Sequence, residues 1–305
     1  MNWRKLGQVF SPEDCPKGFS HATVPIAIKL TESTFKIIYS SRDEYSRSVP
    51  FSLVFDVEKL QIIETDNEPF LSLGETGSFD DCGVMPTCCV SNGSQIYLYY
   101  IGWNQGKNVP FRNSIGVAVS EDGGTTFRKA FAGPVLDRSI FDPVFVASCD
   151  IFKKDNNLLM YYLSGIKWEQ KNNGFRHYYH IKIAQSQDFI TWKREGRIAI
   201  DFKDPDEYAI SVPRVVLWKG GEYRMFYSYR GGALNEYYQI GCAKSNDLIE
   251  WLRVDEEVNL SVSVKGWDSE MLCYPFIFAH NEQVYMLYNG NGYGKTGFGL
   301  AILVE

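Results

Sequence analysis

Five tyrosines close short apolar strands at nearly even intervals: Tyr39 in FKIIYSS, Tyr100 in IYLYYIGW, Tyr162 in NLLMYYLSG, Tyr227 in YRMFYSYRGG and Tyr288 in VYMLYNGN. The steps between them are 61, 62, 65 and 61 residues, and one fifth of the 305-residue chain is 61. A fixed period over a whole chain means stacked copies of one supersecondary unit. Each copy reads as all β, so the expectation is a single domain over 1–305. It would be a five-bladed β-propeller with four antiparallel strands per blade.

Within each repeat the order is regular. A first apolar strand carries a proline (Pro25, Pro86, Pro213 and Pro275), with Ser148 in its place in the third repeat. The second strand ends at the tyrosine. A third follows, as in NSIGVAVS, YHIKIAQS, YQIGCAKS and GFGLAILV, alternating as strands do. The turn leaving it reads Ser-x-Asp and then an aromatic: Asp122 with Phe127, Asp188 with Trp192, Asp247 with Trp251. These acids should cap turn N–H groups while the rings pack between blades. The first such turn resembles the Asp-box of sialidases, where it is structural. The last repeat stops after three strands, and Trp3-Arg4-Lys5-Leu6-Gly7 resembles the fourth strand of the third repeat. The N-terminus should therefore supply the missing strand and close the ring, leaving no open edge.

A net charge of -6 and a pI near 5.4 argue against nucleic acid or an anionic membrane as partner. No run of apolar residues is long enough to span a bilayer. The N-terminus lacks the apolar core of a secretory signal. Seven cysteines without CxxC spacing read as reduced and mostly buried, in a cytoplasmic protein. Four histidines, none beside a cysteine pair, give no reason to expect a metal, and nothing implies a cofactor.

In an antiparallel blade the first strand starts and the second ends on one face of the disc. Residues before each proline and after each tyrosine should thus converge on a funnel mouth. The first group holds His21, Asp80, Asp81, Asp142, Glu207, Asp268 and Glu270. The second holds Arg42, Trp103, Lys167, Trp168 and Arg230, then Asn289, Asn291 and Tyr293. Carboxylates can do acid–base work and aromatics can stack on sugar rings, so a sugar site is the natural reading. Each acid also has a plainer reading. Asp80 and Asp81 can cap a turn, Asp142 can bond backbone, and Glu207 can be a solvated loop acid. Glu270 can pair with Arg214 or Arg42, and His21 can be a hydrogen-bonded core histidine. Arg42 and Arg230, each three residues past its tyrosine, suit an anionic sugar, a sugar phosphate or phosphate.

Five blades with acids at the inner-strand starts resemble the arabinanase, invertase and levansucrase superfamily of glycoside hydrolases, families 32, 43, 68 and 130. Ser139-Ile140-Phe141-Asp142-Pro143 is similar to the Asp-Pro segments of families 43 and 32. The segments Gly266 to Met271 and Tyr288 to Gly299 resemble a poorly characterised glycosyl hydrolase-like branch. The resemblance implies that Asp142 orients or stabilises substrate. Family 43 places its base where this chain has His21 and its general acid where this chain has Ser211. Either the acids have moved to other blades, as Asp81 and Glu270 permit, or hydrolysis has been lost.

The leading expectation is a cytoplasmic enzyme that cleaves a glycosidic bond by hydrolysis or phosphorolysis. Asp81, Asp142 and Glu270 would be its acids. Substrate contacts would come from His21, Arg42, Asp80, Trp103, Trp168 and Glu207, and from Arg214, Arg230, Asp268 and Asn291. The partner would be an oligosaccharide or other sugar-containing molecule, joined by phosphate in a phosphorylase. The alternative is a non-catalytic sugar-binding propeller, or one associated with polysaccharide biosynthesis.

Overall fold

The computed structural model describes residues 1–172, 174–232 and 236–304. Among these, strand pairing defines five antiparallel four-stranded units. Unit 1 comprises Ser20–Lys29, Thr34–Arg42, Ser48–Asp56 and Gln61–Thr65. Unit 2 comprises Gly83–Asn92, Gln95–Gln105, Phe111–Ser120 and Arg128–Lys129. Unit 3 comprises Val146–Lys154, Asn157–Lys171, Gly174–Ser186 and Lys193–Ile200. Unit 4 comprises Glu207–Leu217, Tyr223–Gly231, Gln239–Ser245 and Leu252–Arg253. Unit 5 is assembled from both ends of the chain. Cys273–His280, Gln283–Asn289 and Phe298–Leu303 are completed by Trp3–Phe10, paired from Trp3 opposite Leu303 to Phe10 opposite Phe298 with register shifts at Lys5/Gly7 and Gln8/Phe10.

The five periodic tyrosines are all buried, and four of them share one device. The Tyr100 hydroxyl donates to Asp80 at 3.0 Å, Tyr162 to Asp142 at 3.1 Å, Tyr227 to Asp255 at 2.6 Å and Tyr288 to Asp268 at 3.2 Å. Each acid also pairs with a cation on the fourth strand of its own unit. These pairs are Asp80 with Lys129, Asp142 with Arg194, Asp255 with Arg253, and Asp268 with Lys5. A buried tyrosine of the second strand is thereby tied to the outer edge of the unit. Unit 1 departs from the scheme. Tyr39 Oη has no hydrogen-bond partner, and its ring packs instead among Phe10, Phe51 and Phe298.

Neighbouring units are joined near the middle of their first strands. Every first strand has a register shift there, at Thr23/Ile26, Pro86/Cys88, Val146/Cys149, Ser211/Arg214 and Cys273/Phe276. Val24, Val212 and Tyr274, each followed by proline, adopt positive φ angles of 52°, 49° and 56°. Such a conformation costs a bulky residue about 1–3 kcal/mol. Their N–H groups are received by the preceding unit: Val24 by Asn289 at 2.8 Å, Val212 by Ser148 at 3.0 Å and Tyr274 by Ser228 at 2.7 Å. Arg214 then links four units. It donates to Asp150 of unit 3 at 2.5 Å and to the Thr87 carbonyl of unit 2 at 2.6 Å, and lies 4.4 Å from the Phe276 ring of unit 5.

The Ser-x-Asp turns form as expected. Asp122 receives the Thr126 N–H at 2.9 Å, Asp188 that of Thr191 at 2.7 Å, and Asp247 that of Ile249 at 2.8 Å. Phe127 packs on Phe70, Trp192 on Tyr99 and Trp251 on Tyr161, each ring meeting the preceding unit or its exit loop. All seven cysteines are free; Cys88, Cys149, Cys242 and Cys273 are buried, and Cys15, Cys82 and Cys89 are partly covered. No helix among the described residues is long and apolar enough to cross a membrane.

Candidate functional site

A cavity of about 420 Å³ draws its walls from all five units, with Thr23 and Arg42 of unit 1, Trp103 and Asn113 of unit 2, and His177 and Tyr179 of unit 3. Unit 4 adds Ser211 and Arg230, and unit 5 adds Tyr274 and Tyr293. The strained Val24, Val212 and Tyr274 also face it, so backbone strain concentrates where the units converge.

Aromatic side chains shape the walls. Trp103 and Phe111 meet edge to face at 4.9 Å, and Trp168 backs His177 with ring centres 4.8 Å apart. On the opposite side Tyr208, Tyr238 and Tyr293 surround the Arg230 guanidinium at 5.1, 4.7 and 5.6 Å. Arg230 also donates to the Tyr293 hydroxyl at 2.5 Å, while the Tyr179 and Tyr238 hydroxyls bond each other.

Several lining residues carry polar atoms with no hydrogen-bond partner: Trp103 Nε1, Asn113 Oδ1, His177 Nδ1, Ser211 Oγ and Arg230 Nε. Asn113 and Ser211 are only 2% and 4% exposed. Buried polar groups are normally satisfied, so these atoms are open to water or to a ligand in the cavity. The local field is positive. Burial, then the charge on Arg230, push the His177 imidazole down to about 4. Burial, then Arg42 and Lys295, do the same to His21. Both rings are neutral near pH 7.

The expected acids are not in this lining. Asp142 is fully buried, held by Arg194 at 2.9 Å, Lys182 at 3.5 Å, Ser164 and Tyr162. Asp80 and Asp268 occupy the same pinning position in units 2 and 5. Glu207 is bound by both Arg253 nitrogens, at 2.6 and 3.0 Å, and is not the solvated loop acid it resembled. Asp142, expected as a catalytic acid, and Asp80, Glu207, Asp268 and Arg214, expected as substrate contacts, all have their charges matched inside the fold. Burial pushes the Asp150 carboxyl up, and the neighbouring Arg214 offsets this only in part.

Asp81 caps a turn, accepting from Gly77 N at 2.9 Å and Asn104 at 2.9 Å. Burial pushes its pKa up, but these bonds and one from Cys82 prevail, leaving it below the ordinary value. Glu270 is exposed, and its expected pairing with Arg214 or Arg42 is not present among the described residues. Asn291 braces that loop by accepting from Glu270 N at 2.8 Å and Met271 N at 3.2 Å. His21 lies beside Arg42 rather than in the wall, bonded to Ser20 at 3.0 Å. Lys167 rests over Tyr178, and Asn289 is the clamp between units 5 and 1. Arg42, Trp103, Arg230 and Tyr293 are the expected residues that the cavity does gather.

Phe111, Asn113, His177 and Tyr179 were missed. They alternate at the starts of third strands, and the antiparallel rule that brings second-strand ends to the mouth brings third-strand starts there too. Applied one strand further, that rule finds them. Among the described residues no cluster of histidine, cysteine and acidic side chains is arranged to hold a metal.

Repeated antiparallel sheets converging on one cavity make an all-β fold, and that fold is shared with solved glycoside hydrolases. A glycoside hydrolase superposes with a TM-score of 0.77 at 17% identity, covering 98% of this chain and 90% of its own. A thermostable family-43 glycoside hydrolase gives 0.67 at 16%, covering 96% and 91%. A GH32 beta-fructofuranosidase from Bombyx mori, in complex with sucrose, gives 0.65 at 14%, covering 97% of this chain and 63% of that one. No protein-family model matches the chain. In sequence it is 37% identical over 305 residues to the uncharacterized protein Rv1502 of Mycobacterium tuberculosis, covering 99% of each, and it belongs to the Rv1502 family.

Proposed function

We propose that this chain is a carbohydrate-active protein, a closed five-bladed propeller that takes a saccharide into its central cavity. Closure is supported by the pairing of Trp3–Phe10 with Phe298–Leu303 and by the Asn289 clamp from unit 5 to unit 1. The observation that carries the functional reading is the lining itself. Aromatic plates alternate with unsatisfied hydrogen-bonding atoms on a concave wall, which is how sugar rings are stacked upon and oriented. The sucrose complex of the GH32 neighbour supports a sugar in a propeller of this shape.

Recognition is better supported than cleavage. A glycosidase needs two carboxyl groups flanking the bond, separated according to its stereochemistry. Asp142 is committed to Arg194 and Lys182, so Glu270 and Asp81 remain as the acids through which hydrolysis or phosphorolysis would act. The seven free cysteines support a reducing, cytoplasmic address.

The test is a panel of oligosaccharides, with and without phosphate, followed by calorimetry and by assay for new reducing ends and sugar phosphates. At least one saccharide is expected to bind, and Trp103→Ala to weaken it about tenfold through loss of stacking. Turnover abolished by Glu270→Gln would support the cleaving enzyme, whereas binding without turnover identifies the recognition module. A panel with no binding at all refutes the carbohydrate reading.

A further inference from the structure

The charges of the cavity specify more than a sugar. Elsewhere the covered cations have acids to answer them: Arg194 has Asp142, Lys129 has Asp80, Arg253 has Glu207 and Asp255, and Arg214 has Asp150. Arg42 and Arg230 break this pattern. Among the described residues neither forms an ion pair, and no aspartate or glutamate lines the cavity they share. Arg230 is held by three tyrosine rings and one hydroxyl, and its Nε is unsatisfied. Cation–π contacts hold a guanidinium in place without neutralising it, so its fork of donors remains available to an oxyanion.

Resting on the saccharide reading above, we propose that the ligand of this cavity is an anionic sugar, its carboxylate or phosphate group bound by Arg42 and Arg230. Ser211 and Asn113, nearly fully buried with unpartnered oxygens in the same wall, supply hydroxyl donation and carbonyl acceptance for the uncharged part of the ring. Burial is the larger cause of the lowered His177 and His21, and the smaller part, from Arg230 at His177 and from Arg42 and Lys295 at His21, is the part that would attract an anion. An anion entering here replaces the counter-ion that the fold withholds.

Two matched pairs of probes test this by calorimetry: trigalacturonate against its methyl ester, and glucose 1-phosphate against glucose. One anion is expected to bind at least about tenfold more tightly than its uncharged counterpart, with affinity falling as salt rises. The pair that shows the preference tells carboxylate from phosphate. Arg42→Gln and Arg230→Gln should each erase it, and the lysine variants should retain part of it. Should Arg230→Gln melt early, Arg42→Gln, at a half-buried position without ring packing among the described residues, decides. Equal affinities within both pairs, or a preference surviving in the double variant, overturns the proposal while leaving the saccharide reading intact. Failure of all four probes to bind overturns the anionic proposal, and the oligosaccharide panel above then decides the saccharide reading.

Discussion

Asp142 receives hydrogen bonds from Ser139, Tyr162, Ser164 and Arg194, and Lys182 stands 3.5 Å away. Its negative charge holds two cations of neighbouring strands in a dry environment. Removing it by Asp142→Asn leaves those cations uncompensated, so about 3–5 kcal/mol of stability should be lost. Urea unfolding measures this, and a change below about 1 kcal/mol would contradict the pinning role. His177 makes a different prediction. Its pKa is about 4 in the folded protein and about 6.5 in an unfolded chain. Between those values the unfolded chain binds a proton that the native protein refuses. Stability is therefore full above pH 6.5 and declines as pH falls toward 4, by about 2 kcal/mol from this residue after allowance for solvent screening. His177→Gln should flatten that slope, and an unchanged slope assigns the decline to other groups.

At the scale of elements, the strands were legible because their alternation and terminal tyrosines are local signals. The pre-proline bulges were not. A residue before proline is expected to be extended, yet Val24, Val212 and Tyr274 are left-handed because a side chain of the preceding unit fixes each N–H. That partner lies in another repeat, and no local pattern announces it. The same limit hid the partners of Asp80, Asp142 and Asp268. Their position before a first strand was visible, but Lys129, Arg194 and Lys5, which neutralise them, sit on distant fourth strands. The terminal strand offers a direct test at this scale. Deleting residues 1–10 uncovers the edge of Phe298–Leu303, takes Lys5 from Asp268 and removes Trp3 from Phe226. Gel filtration should show loss of the soluble form through edge-to-edge association. A truncated protein that elutes and melts as the parent does would show the strand to be dispensable.

For the whole molecule, the repeat period made the architecture readable and left the site half hidden. Arg42, Trp103 and Arg230 were found by their distance from the tyrosines, whereas the separation of structural from available charge emerged only with the packing. Arg214 shows how closely the repeats depend on one another. One guanidinium reaching Asp150, Thr87 and the Phe276 ring joins the first strands of four units. A repeat protein usually spreads its stability over many similar contacts, but here a single side chain is common property of four repeats. Damage at that one position would be felt in all four at once rather than in the repeat that carries it.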